Sequence, residues 1–269
     1  MELTDFYGLS MNPFAKDAIR EEDCFESTDI RMTLNRMNYL KDARGIGVFT
    51  ASSGMGKSFC LRCFSHSLNK SLFDMKYICL TTVSVGDFYK LLCDALGLEA
   101  KGGKTAMFRD IKDRIFYLYQ EKKQPLIITI DEAQYLSNVV LKDLKMLMNF
   151  NYDSLNCFTL ILCGEPYLNS TLTKPMHESL RQRITVHYNF QGLGPDEIPK
   201  YIHHKIRLAG GSDTMLDGAA LSALTTYCKG SPRIIDNVMT AAMIAGAQNN
   251  KTTIYFEVMR AASNEQSLE

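Results

Sequence analysis

The sequence predicts an α/β protein, a parallel sheet covered by helices on both faces and followed by a small helical domain. Three observations carry this. Between about residues 31 and 190, short apolar runs alternate with longer segments whose apolar residues recur at helical spacing. The first run leads into a glycine-containing loop of the phosphate-binding kind, TASSGMGKS. After about residue 191 the strand-like runs stop and only helical patterns remain.

Taken in order, residues 1–30 form an irregular segment. Gly8, Pro13 and mixed charges break any periodicity, while Phe6, Tyr7 and Phe14 require a surface to pack on. A strap lying across the main domain satisfies both. Residues 31–190 form the α/β nucleotide-binding core. Its strand candidates are IGVFTA (46–51), KYICLTT (76–82), LIITID (126–131) and FTLILCG (158–164), with helical spacing between them, as in DFYKLLCDALGL. Residues 191–269 form the helical domain, where GPDEIPKYIHHKIRLAGG and DGAALSALTTYCKG each end in glycine, as helices stopped by a left-handed residue do.

Composition narrows the function classes. With 46% hydrophobic and 22% charged residues over 269 positions, the chain reads as a globular protein of ordinary type. No apolar run is long enough to span a bilayer, and MELTDFYGLS has neither a basic start nor an apolar signal segment, so a cytoplasmic protein without a membrane partner is expected. Lys and Arg total 30, as do Asp and Glu, so any nucleic-acid surface must be a local stripe. The 8 cysteines are scattered, several in apolar runs such as those of Cys79 and Cys163. Cys60 and Cys63 form a C-x-x-C inside a predicted helix, with no second pair at zinc spacing.

The chemistry concentrates after the first strand. A loop between a strand and the helix FCLRCFSHSL turns backbone N–H groups and a helix N-terminus toward phosphates, which assigns Ser53, Gly54, Met55, Gly56, Lys57, Ser58 and Phe59 to a nucleotide. Lys57 reaches the β and γ oxygens, and Ser58 ligates magnesium. Gly54 and Gly56 supply close approach or positive φ. The pattern asks for glycine at its first position, where this chain has Ala51. A methyl group there costs little at negative φ and roughly 1–2 kcal/mol at positive φ.

LIITIDEAQYL supplies the second half. A buried strand delivers Asp131 and Glu132 to its C-terminal end, where open α/β sheets bind ligands. Asp131 suits the Ser58-bound magnesium, and Glu132 suits orientation of an attacking water. Alone, such a pair can be a solvated turn; after a phosphate loop it points to Mg2+-dependent hydrolysis of a nucleoside triphosphate, which the resemblance described next specifies as ATP.

On these motifs the chain resembles the AAA+ ATPases, a P-loop core with a helical lid. Within them it resembles the ExeA-like group, which includes transposon helpers of the MuB and TnsC type. FYGLSMNPF is similar to that group's N-terminal entry, IDEAQYL to its magnesium strand, ESLRQRI to its arginine-bearing segment and GSPRIIDN to its lid sensor. The resemblance implies that Arg233 senses the γ phosphate. Ser231 can cap its helix and Pro232 suits the first position, which would hold Arg233 in the first turn; an ordinary surface arginine remains the alternative. It also implies that Arg183, or Arg181 beside it, is a finger acting in trans in a neighbour's site, so that oligomerisation into a ring or filament activates turnover. Surface ion pairs explain the same two arginines. Glu165 stands where the group usually has a neutral polar sensor, which puts sensing there in doubt.

The longer secretion proteins of the group add a membrane span and a cell-wall-binding region, and this sequence shows neither. The resemblance therefore implies a stand-alone transposition helper that assembles on double-stranded DNA and recruits a transposase, with a secretion-related assembly ATPase or a nucleotide-gated scaffold as alternatives. Local support for DNA binding is EAKGGKTAMFRDIKDR, where Lys101, Lys104, Arg109 and Lys112 surround two glycines. A solvated loop and helix face accounts for them equally.

Overall fold

A computed structural model describes residues 3–16 and 20–266. Residues 1–2 and 17–19 of the expected strap and 267–269 of the expected helical domain lie outside the described residues. The chain divides into two compact units. One comprises Met32–Ser53 and Lys57–Phe190; the other comprises the described residues up to Arg31, Gly54–Gly56, and those from Gln191 onward.

The first unit is built on a five-stranded sheet in the order β2-β3-β4-β1-β5, with every neighbouring pair parallel. The strands are β1 (Ile46–Thr50), β2 (Asp74–Cys79), β3 (Leu126–Asp131), β4 (Thr159–Gly164) and β5 (Ile184–Asn189). β1, β3 and β4 are buried at every position, which is why they read as continuous apolar runs. Helices Val85–Ala95, Lys104–Gln120 and Asn138–Leu147 contribute Phe88, Ile111 and Leu144 to one core with Ile78, Ile130 and Leu162.

Against the predicted ranges, β1 stops one residue earlier than IGVFTA and β4 starts one residue later than FTLILCG. β3 coincides with its predicted range. β2 starts two residues earlier than KYICLTT and stops three earlier: its register with β3 runs from Asp74 opposite Leu126 to Cys79 opposite Asp131, and Leu80 N–H makes one further bond, to Asp131 O. β5 has no counterpart among the strand candidates; only the ITV run beside Arg183 is visible in the sequence. It is an edge strand whose exposure alternates, so its apolar content is diluted by Thr185 and His187.

The second unit packs helices Glu197–Leu208, Gly218–Cys228, Pro232–Gln248 and Phe256–Gln266 around Ile202, Leu224, Val238 and Met259. The N-terminal segment is read from the sequence as a strap on the sheet domain. It lies instead in this helical core: Leu9 and Phe14 are buried there, Tyr7 donates from its hydroxyl to Met243 O at 2.9 Å, and Ser10 N–H donates to Ala209 O at 2.9 Å. The segment is also not irregular throughout, because Leu3–Tyr7 is an α-helix, and its large apolar side chains pack against the helices of this unit. No helix among the described residues is long and apolar enough to cross a membrane.

A buried ion pair ties two of these helices together. Lys205 is 3% exposed and donates to Asp236 Oδ1 at 2.8 Å, while the Tyr201 hydroxyl donates to both carboxylate oxygens at 3.0 and 3.1 Å. Removing the carboxylate leaves a buried ammonium without its counter-charge. Asp236→Ala is expected to lower the stability of the full chain by about 3–5 kcal/mol in urea unfolding; a loss below about 1 kcal/mol would contradict this account.

Candidate active site

β1 ends at Thr50, and the chain turns through Ala51–Gly56 into the helix Lys57–Ser67. Ala51 lies outside the left-handed region and is 2% exposed, so its methyl group is unstrained and packed. The missing first glycine is therefore no defect. Gly54 and Gly56 do adopt positive φ, 81° and 93°. The buried Lys57 curls back into the loop, donating from Nζ to Ala51 O at 2.7 Å and to Ser52 O at 3.2 Å. Both acceptors are neutral carbonyls, a setting in which a phosphate anion is a fitting partner for the ammonium. Cys60 and Cys63 are buried on the same helix, inside the core.

Asp131, the last residue of β3, is 2% exposed, and a carboxylate that deep requires donors. It has three. The Ser58 hydroxyl donates to Oδ2 at 2.8 Å, the Tyr77 hydroxyl donates to Oδ2 at 2.9 Å, and Glu132 N–H donates to Oδ1 at 3.0 Å. Burial and the adjacent carboxylate push the Tyr77 phenol well above its ordinary range, so it stays a donor. Tyr77 is absent from the sequence reading; its side chain reaches Asp131 only because β2 pairs with β3.

Ser58 Oγ and Asp131 Oδ2 are hard oxygen donors side by side, and they fit Mg2+. Among the described residues no cluster of three His, Cys, Asp or Glu is arranged to hold a metal.

Glu132 follows directly, at φ 56° and ψ 37°, a left-handed conformation uncommon for a residue with a side chain. Its Oε2 accepts from Gln134 Nε2 at 2.6 Å, and Gln134 Oε1 accepts from Glu165 N–H at 3.0 Å. Glu165, in doubt as a sensor, thus enters this network through its backbone, and its side chain is exposed. Near the ends of β1 and β5, Asn169 donates from Nδ2 to Thr50 Oγ1 at 2.9 Å and to Asn189 Oδ1 at 2.8 Å. Gln134 lies within IDEAQYL, which gives it no role of its own, and Asn169 belongs to no motif.

In the helical unit, Ser231 caps the helix Pro232–Gln248 and Pro232 opens it, which sets Arg233 in the first turn. Arg233 N–H donates to Gly54 O at 3.3 Å. A Cβ on Gly54 would stand 2.7 Å from Arg233 Cβ.

The arginine-bearing segment is folded back on its own chain. Arg183 forms an ion pair with Asp153, leaving its side chain 21% exposed, and Arg181 donates to Thr173 O at 3.0 Å. In the basic segment Gly103 is the N-cap of a helix that begins at Lys104, so Lys104, Arg109 and Lys112 lie on that helix and Lys101 precedes it. Lys101 pairs with Glu99 at 2.6 Å, Lys104 with Asp143 at 2.6 Å and Arg109 with Asp110 at 3.6 Å, while Lys112 donates to Asn149 O. Nearby acids compensate three of these four cations, which lowers their value as a phosphate track.

Residues 40–172 match the protein family described as AAA domain. β1 to β4, the phosphate loop and Asp131 all fall within the matched residues. It is 27% identical over 263 residues to general secretion pathway protein A of Aeromonas hydrophila, a match that covers 96% of this chain and 48% of that protein. The chain therefore spans about half the length of this curated relative.

Among solved structures, Cdc6p from Pyrobaculum aerophilum aligns with a TM-score of 0.71 at 15% identity, covering 95% of this chain and 71% of that one. The Aeropyrum pernix ORC1 protein, solved in complex with DNA, aligns at 0.66 and 13% identity, covering 94% and 68%. The Thermotoga maritima RuvB branch migration motor aligns at 0.60 and 13%, covering 90% and 70%. At these identities the likeness shows the fold alone: a parallel P-loop sheet of AAA+ type followed by a helical region. The curated relative corresponds to the ExeA side of the resemblance and lends nothing to its transposon-helper side.

The loop geometry makes two substitutions unequal. Gly54→Ala adds a Cβ at positive φ, a strain of roughly 1–2 kcal/mol before the approach to Arg233 is counted. Ala51→Gly changes only chain entropy and a small buried contact, about 1 kcal/mol or less. Chemical denaturation of both variants should rank Gly54→Ala as the more destabilised; the reverse order would contradict the loop conformation described.

Proposed function

We propose that this chain is a Mg2+-dependent ATPase whose AAA domain powers a secretion-related assembly step. The observation that carries the ATPase reading is the 2.8 Å bond between Ser58 and Asp131, with Glu132 next in the chain. In this reading the backbone from Ser53 to Phe59 cradles the phosphates and Lys57 neutralises the β and γ oxygens. Ser58 and Asp131 hold Mg2+, which when bound screens the charge of the phosphate oxygens. Glu132 accepts a hydrogen bond from the attacking water and so orients it. Arg233 senses the γ phosphate, and Arg183 completes a neighbour's site in trans once released from Asp153.

The secretion assignment comes from the relative in Aeromonas hydrophila and extends over the half of that protein which this chain spans. The transposition-helper reading, with duplex DNA and a transposase as partners, draws on short motifs and on cations that are mostly paired to acids. It is the weaker of the two. Under the secretion reading, unrelated duplex DNA leaves turnover unchanged across a salt series. ATP-dependent binding that weakens linearly in log–log form with salt would reverse the ranking.

Three substitutions test the chemistry. Lys57→Ala should abolish binding of a fluorescent ATP analogue. Glu132→Gln should bind it normally and lose turnover by at least about 100-fold, since magnesium coordination survives and water orientation does not. Near-normal turnover in that variant would remove Glu132 from its role. Arg183→Ala should keep affinity and lose the rise of specific activity with protein concentration, an effect of about 10³-fold or more if it is a full finger. Mixing it with Glu132→Gln subunits should restore activity. Inactive mixed oligomers would sink the trans assignment.

A further inference from the structure

Between Glu132 and the end of β4 stands a side chain that no motif assigns. We infer that Gln134 is a positioning residue for hydrolysis: its amide clamps the Glu132 carboxylate to the backbone at Glu165 and fixes which carboxylate oxygen faces the water. The inference rests on the ATPase reading above.

The geometry admits one orientation of the amide. Glu165 N–H is a donor, so the group 3.0 Å from it must be the amide oxygen. The NH2 group then points at Glu132 Oε2, 2.6 Å away, where a carboxylate can only accept. Glutamine is thus required at this position as donor and acceptor at once. Glutamate would set carboxylate against carboxylate, and methionine has the length but neither function.

The surrounding backbone is shaped for this bridge. Gly164 has no side chain where a Cβ would come 2.7 Å from Gln134 Oε1 and 3.2 Å from Gln134 N. The φ of Gly164 is not in the left-handed region. Its lack of a side chain is explained by the passage of the glutamine amide, not by backbone conformation.

Glu132 itself is held at left-handed φ, with its N–H on Asp131 Oδ1 at 3.0 Å and its carbonyl accepting from Tyr135 N–H at 3.0 Å. Such a conformation persists where surrounding contacts over-determine it. These backbone bonds fix where the side chain starts, and the Gln134 amide fixes where it ends. With the amide bonded to Oε2 and holding the carboxylate in place, Oε1 is the oxygen better placed to accept from water. The bridge also joins the end of β3 to the end of β4, so a shift at Glu165 moves the hydrolytic carboxylate.

The test uses the full chain with Gln134→Ala, Gln134→Met, Gly164→Ala and the double variant, alongside wild type and Glu132→Gln. Gln134→Ala and Gln134→Met should each lose about 10- to 100-fold in kcat, the size of an orientation error, with affinity for a fluorescent ATP analogue within about twofold of wild type. Gly164→Ala should reproduce that loss by displacing the amide. In the double variant, where the space is open, Gly164→Ala should add little to the loss from Gln134→Ala.

A second readout needs no turnover. In nucleotide-free protein the Gln134 side-chain NH2 resonance, assigned by its absence in Gln134→Ala, should shift in both Glu132→Ala and Gly164→Ala. A Gln134→Met variant with wild-type kcat while Glu132→Gln is inactive would overturn the inference and leave the ATPase reading intact. An unshifted NH2 resonance would overturn it equally. Retained turnover in Glu132→Gln would remove the ATPase assignment of Glu132, and this inference with it.

Discussion

A carboxylate buried to 2% exposure at the end of a central strand is the constraint on which the site depends. Its hydrogen-bonding demand is met there because hydroxyls from Ser58 and Tyr77 and the N–H of Glu132 converge on Asp131. Each donor comes from a different place in the chain: the helix after the phosphate loop, strand β2, and the turn after β3. Meeting the hydrogen-bond demand of one buried group therefore fixes three elements against each other. The oxygen pair that fits magnesium results from that convergence.

The sheet makes the convergence possible. Parallel strands send all their C-terminal ends to one edge, so the phosphate loop after β1, Asp131 after β3 and Glu165 after β4 arrive together. Full burial of β1, β3 and β4 gives that edge a rigid base. On it stands a strained residue: Glu132 at positive φ, braced by Asp131 through its backbone and by Gln134 through its carboxylate. Stability in the core and strain at its rim are parts of one arrangement.

Elsewhere, ion pairs decide what the charged residues are free to do. Arg183 is engaged by Asp153, from a turn in which Asn151, Tyr152 and Asp153 all have positive φ. Lys104 is engaged by Asp143, on another helix, and Lys101 by Glu99. Each pair has at least one solvent-exposed partner and contributes little stability, yet it must be broken before the arginine or lysine can serve another partner. A count of basic residues along the chain overstates the positive surface that the fold presents.

The sequence by itself determined the parallel sheet, the phosphate loop, the Asp131–Glu132 strand end and the capped helix that carries Arg233. Each is written in local terms: continuous apolar runs, glycines at positions of positive φ, Ser231 and Pro232 at a helix start. Tertiary structure alone decided the rest. That Tyr77 supports Asp131 follows from the β2–β3 register, that Gln134 reaches Glu165 follows from the closeness of two strand ends, and that the N-terminal apolar residues join the helical core follows from which face lay open. Strand β5 gained its identity only from its partner β1. The physical reason is the same in each case: side-chain partnerships depend on distances between segments far apart in the chain, whereas periodicity, capping and glycine conformation depend on neighbours a few residues away.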